Sequence, residues 1–114
     1  MALQYYNLTV DRGSLFRTPI QWIAGGVPMN LTGYSARCYM RQSFEDPPVA
    51  RLTTENGGIN MTASTGTIEL YMSSVTTQDI AIRKGVYDIE LIQPDGEAIR
   101  LLEGNVIFTG ESTR

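Results

Sequence analysis

Histidine is absent from all 114 positions. That removes the usual general base near neutral pH, the Ser-His and Cys-His nucleophile systems, and most metal-binding geometries. Cysteine occurs once, at Cys38, so neither an internal disulfide nor a thiolate cluster can form. Long apolar runs are missing too, and nothing approaches the ~20 residues that span a bilayer. The first ten residues alternate instead of forming the charged head and apolar block of a secretory signal. The expectation is synthesis in a cytosol and no membrane partner. Cations are sparse: eight Arg and one Lys face twelve acidic residues, for a net charge of -3. They are scattered along the chain, so no basic footprint for nucleic acid is expected.

What is present suffices for a core. Hydrophobic residues make up 42% of the chain and charged residues 18%, an ordinary globular balance. The length fits one domain, which should bury roughly two-thirds of its unfolded surface without help from metal or disulfide. One domain over 1–114 is expected, with a core over 4–110 and a loose polar tail over 111–114.

Period-two alternation dominates the pattern. Tyr6, Leu8 and Val10 share one side, and Phe16, Thr18, Ile20 and Trp22 another. Proline has no N–H to give a ladder, so Pro19 predicts an edge or bulged position. Ala24-Gly25-Gly26 begins a turn. A strand is predicted from Ser35 to Gln42, with Ala36, Cys38 and Met40 inward and Arg37, Tyr39 and Arg41 outward. Glu45-Asp46-Pro47-Pro48 ends it, and a short strand follows from Val49 to Thr53. After the turn Glu55-Asn56-Gly57-Gly58 come a shorter strand at Ile59-Asn60-Met61 and another from Thr67 to Met72. In the latter, Ile68, Leu70 and Met72 point in while Glu69 and Tyr71 point out.

Ser74 to Lys84 breaks the alternation. Ser74 can cap a helix start and Gly85 can end one, so one or two helical turns crossing between sheets are expected. Val86 to Gln93 is a strand with Tyr87, Ile89 and Leu91 inward and Asp88 and Glu90 outward. Pro94-Asp95-Gly96 is the clearest hairpin turn. The last strand, Ala98 to Thr109, places Leu102, Val106 and Phe108 on one side and Leu101 and Ile107 on the other, with Gly104 allowing a bulge. Seven or eight short strands with regular turns and one short helical crossover read as an all-β, two-sheet sandwich.

No catalytic residue, metal site or cofactor site emerges. Asp88 with Glu90 could be a carboxylate pair, but solvated charges on an exposed sheet look the same. Cys38 reads as a buried apolar thiol. Tyr34, after Asn30-Leu31-Thr32-Gly33, is expected to fold over the sandwich end and bond back to the loop, as corner tyrosines do. Trp22 with Tyr5, Tyr6, Tyr39 and Tyr71 could form a sugar platform, although the apolar neighbours of Trp22 favour the core. Outward Tyr39 and Tyr71 fit a protein contact, because tyrosine is enriched at interfaces. The N-terminal strand with Tyr5 and Tyr6, and the edge near Pro19, complete the candidate contact elements. Sequons starting at Asn7, Asn30 and Asn60 read as chance in a chain rich in Asn and Thr.

A series of phrases carries a resemblance. Leu31-Thr32-Gly33-Tyr34-Ser35-Ala36-Arg37 is followed by Leu52-Thr53-Thr54-Glu55-Asn56-Gly57-Gly58-Ile59 and Gly66-Thr67-Ile68-Glu69-Leu70. Then come Gly85-Val86-Tyr87-Asp88-Ile89-Glu90-Leu91, Pro94-Asp95-Gly96 and Arg100-Leu101-Leu102-Glu103-Gly104-Asn105-Val106. In this order, over roughly residues 4–110, they resemble small tailed-bacteriophage proteins and are similar to the N-terminal domain of upper baseplate proteins. The resemblance implies an immunoglobulin-like β-sandwich in the tail or baseplate of a virion. It implies other virion proteins as partners, several copies per particle, no enzyme activity and no cofactor. Upper baseplate proteins continue into a linker and a further domain, whereas this sequence stops at Arg114. A capsid decoration protein and a carbohydrate-binding adhesion module are the alternatives.

Overall fold

Alternation becomes strand wherever one side of the pleat can be covered by apolar neighbours. A computed structural model describes residues 4–110, apart from the side chains of Gln4 and Tyr5, so the tail over 111–114 lies outside the described residues. The strands are β1 Gln4–Tyr5, β2 Leu8–Asp11, β3 Phe16–Gln21, β4 Ile23–Ala24, β5 Val27–Pro28 and β6 Ser35–Arg41. They continue with β7 Pro48–Thr53, β8 Ile59–Thr62, β9 Thr67–Met72, β10 Lys84–Ile92 and β11 Ala98–Thr109, with helix α1, Ser74–Gln78, between β9 and β10.

The larger sheet runs β1-β11-β10-β6-β7, with β2 also on β11. Its pairs are antiparallel except for β1 and β2, which lie parallel to β11. Gln4 stands opposite Leu102 and Leu8 opposite Val106, so β1 and β2 keep one register and act as a single interrupted edge strand. The smaller sheet is β3-β9-β8, antiparallel throughout, and β4 with β5 forms a separate hairpin. Counted this way, eight principal strands and one small hairpin make a β-sandwich, in agreement with the sequence.

The core lies between the two sheets. Leu8, Val10, Cys38, Met40, Tyr87, Ile89, Leu91, Val106 and Phe108 enter it from the larger sheet, and Phe16, Ile59, Ile68, Leu70 and Met72 from the smaller. Each fully buried aliphatic or aromatic side chain contributes about 1.5–3 kcal/mol relative to exposure. Trp22, Leu31 and Ile80 join the same cluster from the connections. Pro19 lies on β3, an edge strand of the smaller sheet, as its missing N–H predicts.

Three local details differ from the sequence reading. The helix is capped by Ser73, whose hydroxyl accepts from the Thr76 N–H, and it ends at Asp79. Gly85 therefore does not terminate it; Gly85 sits in β10, where a Cβ would collide with the Arg41 carbonyl oxygen. The irregularity in β11 falls at Leu101, because Ile89 pairs with Leu102 while Glu90 pairs with Arg100. The extra residue turns inward, and Leu101 is buried beside Leu102 while Ile107 stays exposed. Gly104 has another role. It lets the Tyr6 backbone approach so closely that a Cβ would strike the Tyr6 carbonyl oxygen.

Candidate functional site

The alternation that sends Ala36, Cys38 and Met40 inward sends Arg37, Tyr39 and Arg41 to the outer face of the larger sheet. Register then decides their neighbours. Tyr39 stands between Arg51 on β7 and Asp88 on β10, and Arg37 stands beside Glu90. A shallow depression of about 360 Å³ opens here, lined by Arg37, Tyr39, Arg41, Phe44, Asp88, Glu90 and Arg100.

The two sides of this depression differ in charge balance. Toward β10 and β11 the charges are paired. Arg37 donates from Nε to Glu90 Oε1 at 2.8 Å, and its Nη2 lies 2.7 Å from the same oxygen. Arg100 sits among three carboxylates, 3.5 Å from Asp88, 3.8 Å from Glu90 and 3.7 Å from Glu103. Burial pushes the Asp88 carboxyl above the usual aspartate range, against the pull of Arg100. The Glu90 hydrogen bond raises Arg37 in turn. Two arginines thus hold Asp88 and Glu90 in one salt-bridge network.

Toward β7 the picture reverses. The Arg41 and Arg51 guanidinium carbons lie 5.3 and 5.9 Å from the Tyr39 ring centroid. That is cation–π distance. Among the described residues neither arginine has a carboxylate within ion-pair distance. Phe44 and Val49 add exposed apolar surface, at 54% and 41% exposure. Phe44 drew no attention in the sequence, since it stands in an acidic, proline-rich turn where no alternation marks its direction.

The other candidate residues fall elsewhere. Tyr71 lies on the outer face of the smaller sheet, with Arg17 at 5.8 Å from its ring centroid and 3.8 Å from Glu69. Arg51 links the two regions, bordering a second depression of about 190 Å³ that Tyr71 also lines. Tyr6 is exposed at the far edge of the larger sheet, and the Tyr5 side chain lies outside the described residues. The sugar platform is therefore dispersed. Trp22 is buried, edge-to-face with Tyr34 at 6.4 Å between ring centroids, and its indole N–H is unpartnered among the described residues.

Tyr34 packs partly buried against the core without a hydroxyl bond to the loop among the described residues; its backbone N–H closes the turn onto Leu31. The buried tyrosine that does bond to backbone is Tyr87, whose hydroxyl donates to the Tyr6 carbonyl at 2.5 Å. Burial pushes both the Tyr87 hydroxyl and the Cys38 thiol far up, so each stays protonated. A second buried polar anchor escaped the sequence. Arg12 donates to the Gly110 carbonyl from Nε and Nη2, at 3.1 and 2.7 Å, and to the Ile80 carbonyl at 3.3 Å. No local pattern separates such an arginine from a solvated one.

Among the described residues no cluster of acidic or cysteine side chains could hold a metal, and no helix is long and apolar enough to cross a membrane. The sequence matches no protein-family model and no curated protein. In three dimensions the chain is similar to the N-terminal domain of phage TP901-1 ORF48, with 13% sequence identity and a TM-score of 0.57. The likeness covers 96% of this chain and 100% of that one, and at this identity it is a likeness of fold.

Proposed function

We propose that this chain is a non-enzymatic structural protein of a tailed-bacteriophage virion, a tail or baseplate component that docks other virion proteins. The observation that carries the reading is the shared fold, which takes in the whole of a phage domain. The ordered series of sequence phrases points the same way independently. The close Arg37 bond to Glu90 supports a non-catalytic reading, since an adjacent guanidinium favours the ionised carboxylate.

In this reading the protein is one domain, made in the host cytoplasm and incorporated in several copies. Multiplicity lets modest contacts add through effective concentration. A stiff sandwich also loses little conformational entropy on docking. The outer face of the larger sheet is the favoured contact region, because aromatic and arginine side chains are enriched at interfaces. The stacked guanidiniums on Tyr39 weigh against a sugar platform there, since they occupy its ring.

Cryo-electron microscopy of purified particles tests the proposal. Density for this chain is expected at symmetry-related tail positions, in low copy number. Hundreds of copies on the head would move the assignment to capsid decoration. Recovery from infected-cell lysate alone, never from purified particles, would end the virion reading.

A further inference from the structure

Four arginines line the outer face of the larger sheet around Tyr39, and they divide into two kinds. Arg37 and Arg100 are engaged by Glu90, Asp88 and Glu103. Arg41 and Arg51 are stacked on Tyr39 and carry uncompensated charge. Asp88, on the same face, interacts electrostatically with Arg41 but beyond ion-pair distance, and it is already held by Arg100.

We propose that Arg41, Tyr39 and Arg51 form a docking site for an acidic, extended segment of a partner protein. Its carboxylates would meet the two guanidiniums, and an apolar side chain would lie against Phe44 and Val49. The proposal rests on the reading that this chain docks other virion proteins, and it names the chemistry of one partner surface.

Charge complementarity carries the argument. The protein is acidic overall, at -3, so two unpaired arginines beside one ring form a local reversal of sign. Such a reversal steers an acidic segment and disfavours a basic one. Stacking also prepares the site. A guanidinium lying on an aromatic ring has lost part of its rotamer freedom before binding, while its planar N–H edge stays able to grip a carboxylate with two parallel bonds. An apolar component is present: exposed Phe44 lines the depression with Tyr39 and Arg41, and exposed Val49 stands on β7 two residues before Arg51. An aromatic and arginine cluster with apolar neighbours is the composition of a binding hot spot. Access is open as well, because β7 is the last strand of its sheet and nothing is paired on its far side among the described residues.

The smaller sheet provides the internal contrast. Arg17 and Tyr71 make a similar stacked pair, but there Glu69 compensates the charge. Stacking alone does not make the site; stacking without a carboxylate does.

Fluorescence anisotropy with the purified chain tests this, using a labelled peptide of alternating Glu and Leu and a Lys-Leu counterpart. The Glu-Leu peptide is expected to bind, more weakly as salt is raised, and the Lys-Leu peptide is not. The double variant Arg41→Gln/Arg51→Gln should lose about tenfold in affinity, as expected for two exposed ion pairs. Arg17→Gln should bind like the parent. Should the double variant melt early, Arg41→Lys and Arg51→Lys keep the charge but weaken the planar grip, and each should still lose affinity. Equal binding of both peptides, binding of neither, or an unaffected double variant overturns the proposal. So does sedimentation showing a dimer that the double variant dissolves, which would make a second copy, through its Glu45-Asp46 loop, the occupant. If the chain sits in particles yet binds no acidic peptide, only this inference falls. If it binds the peptide but is absent from particles, only the virion reading falls.

Discussion

The inner and outer faces of the larger sheet are built from the same strands, one residue out of step, and different forces hold them. On β10, Tyr87, Ile89 and Leu91 are fully buried while Asp88 and Glu90, between them, face outward. The inner side chains are close-packed, and close packing penalises an added atom as well as a missing one. The outer side chains are joined by exposed ion pairs and ring stacking, each contributing only about 0–1 kcal/mol. Stability therefore resides on one face. The other can present unpaired cations and exposed aromatics at small cost to the fold, and this leaves it open to recognition.

If that division holds, substitutions on the two faces should differ sharply in unfolding free energy. The largest effect is expected from Gly104→Ala, which drives a Cβ into the Tyr6 carbonyl and separates the interrupted edge strand from β11. A loss of about 3 kcal/mol or more in urea unfolding is expected. A loss below about 1 kcal/mol would show that this edge adapts freely. Tyr87→Phe comes next. It keeps the ring and removes only the hydroxyl that serves the Tyr6 carbonyl, so about 1–2 kcal/mol should be lost. An unchanged urea midpoint would mean that water replaces the bond.

Asp88→Asn probes the boundary between the faces. Burial holds the folded-state carboxyl above the ordinary aspartate pKa of about 3.9, so the folded chain binds this proton more tightly than the unfolded chain does. Its contribution to stability is greatest below that ordinary value and declines as pH rises through the raised folded-state value. Thermal melts from acid to neutral pH should show a shallower decline for the variant. A steeper one would mean that Arg100 outweighs burial. The smallest effects belong to Tyr39→Ala and Arg51→Gln, each expected within about 0.5 kcal/mol of the parent by the same urea measurement. A large loss from either would erase the contrast and make the outer face part of the fold.

Cysteine chemistry offers a separate check on the inner face. Cys38 has no exposed surface and its thiol is pushed far up by burial, so an aromatic disulfide reagent should label it only after unfolding. Rapid labelling of the native protein would show that the centre of the sheet opens.

Legibility in the sequence followed the range of the interactions. Thr67 to Met72 and Ala98 to Thr109 emerge at their full bounds because alternation is a local property of each strand. The turn at Pro94-Asp95-Gly96 is local too: Gly96 has φ 94° and Asp95 accepts from the Glu97 N–H. The inward turn of Leu101 was invisible, since a bulge appears only when β11 is laid against β10. Arg12, clamped on carbonyls of residues 80 and 110, was equally hidden. For the candidate site, outward Tyr39 was legible from its strand, but its arginine stack was not, because Arg51 is brought beside it by cross-strand register.

By itself the sequence determined which side of most of the long strands faces the core, where the chain turns, and that no histidine lies among its side chains. Those properties follow from residue type and a two-residue period, which act over neighbouring positions. Only the tertiary structure decided that Gly104 admits the Tyr6 backbone, that Asp88 and Glu90 are paired with arginines, and that Arg41 and Arg51 are left with charge to spare. Each depends on which distant segments lie side by side, and pairing of that kind is set by the packing of the two sheets as a whole.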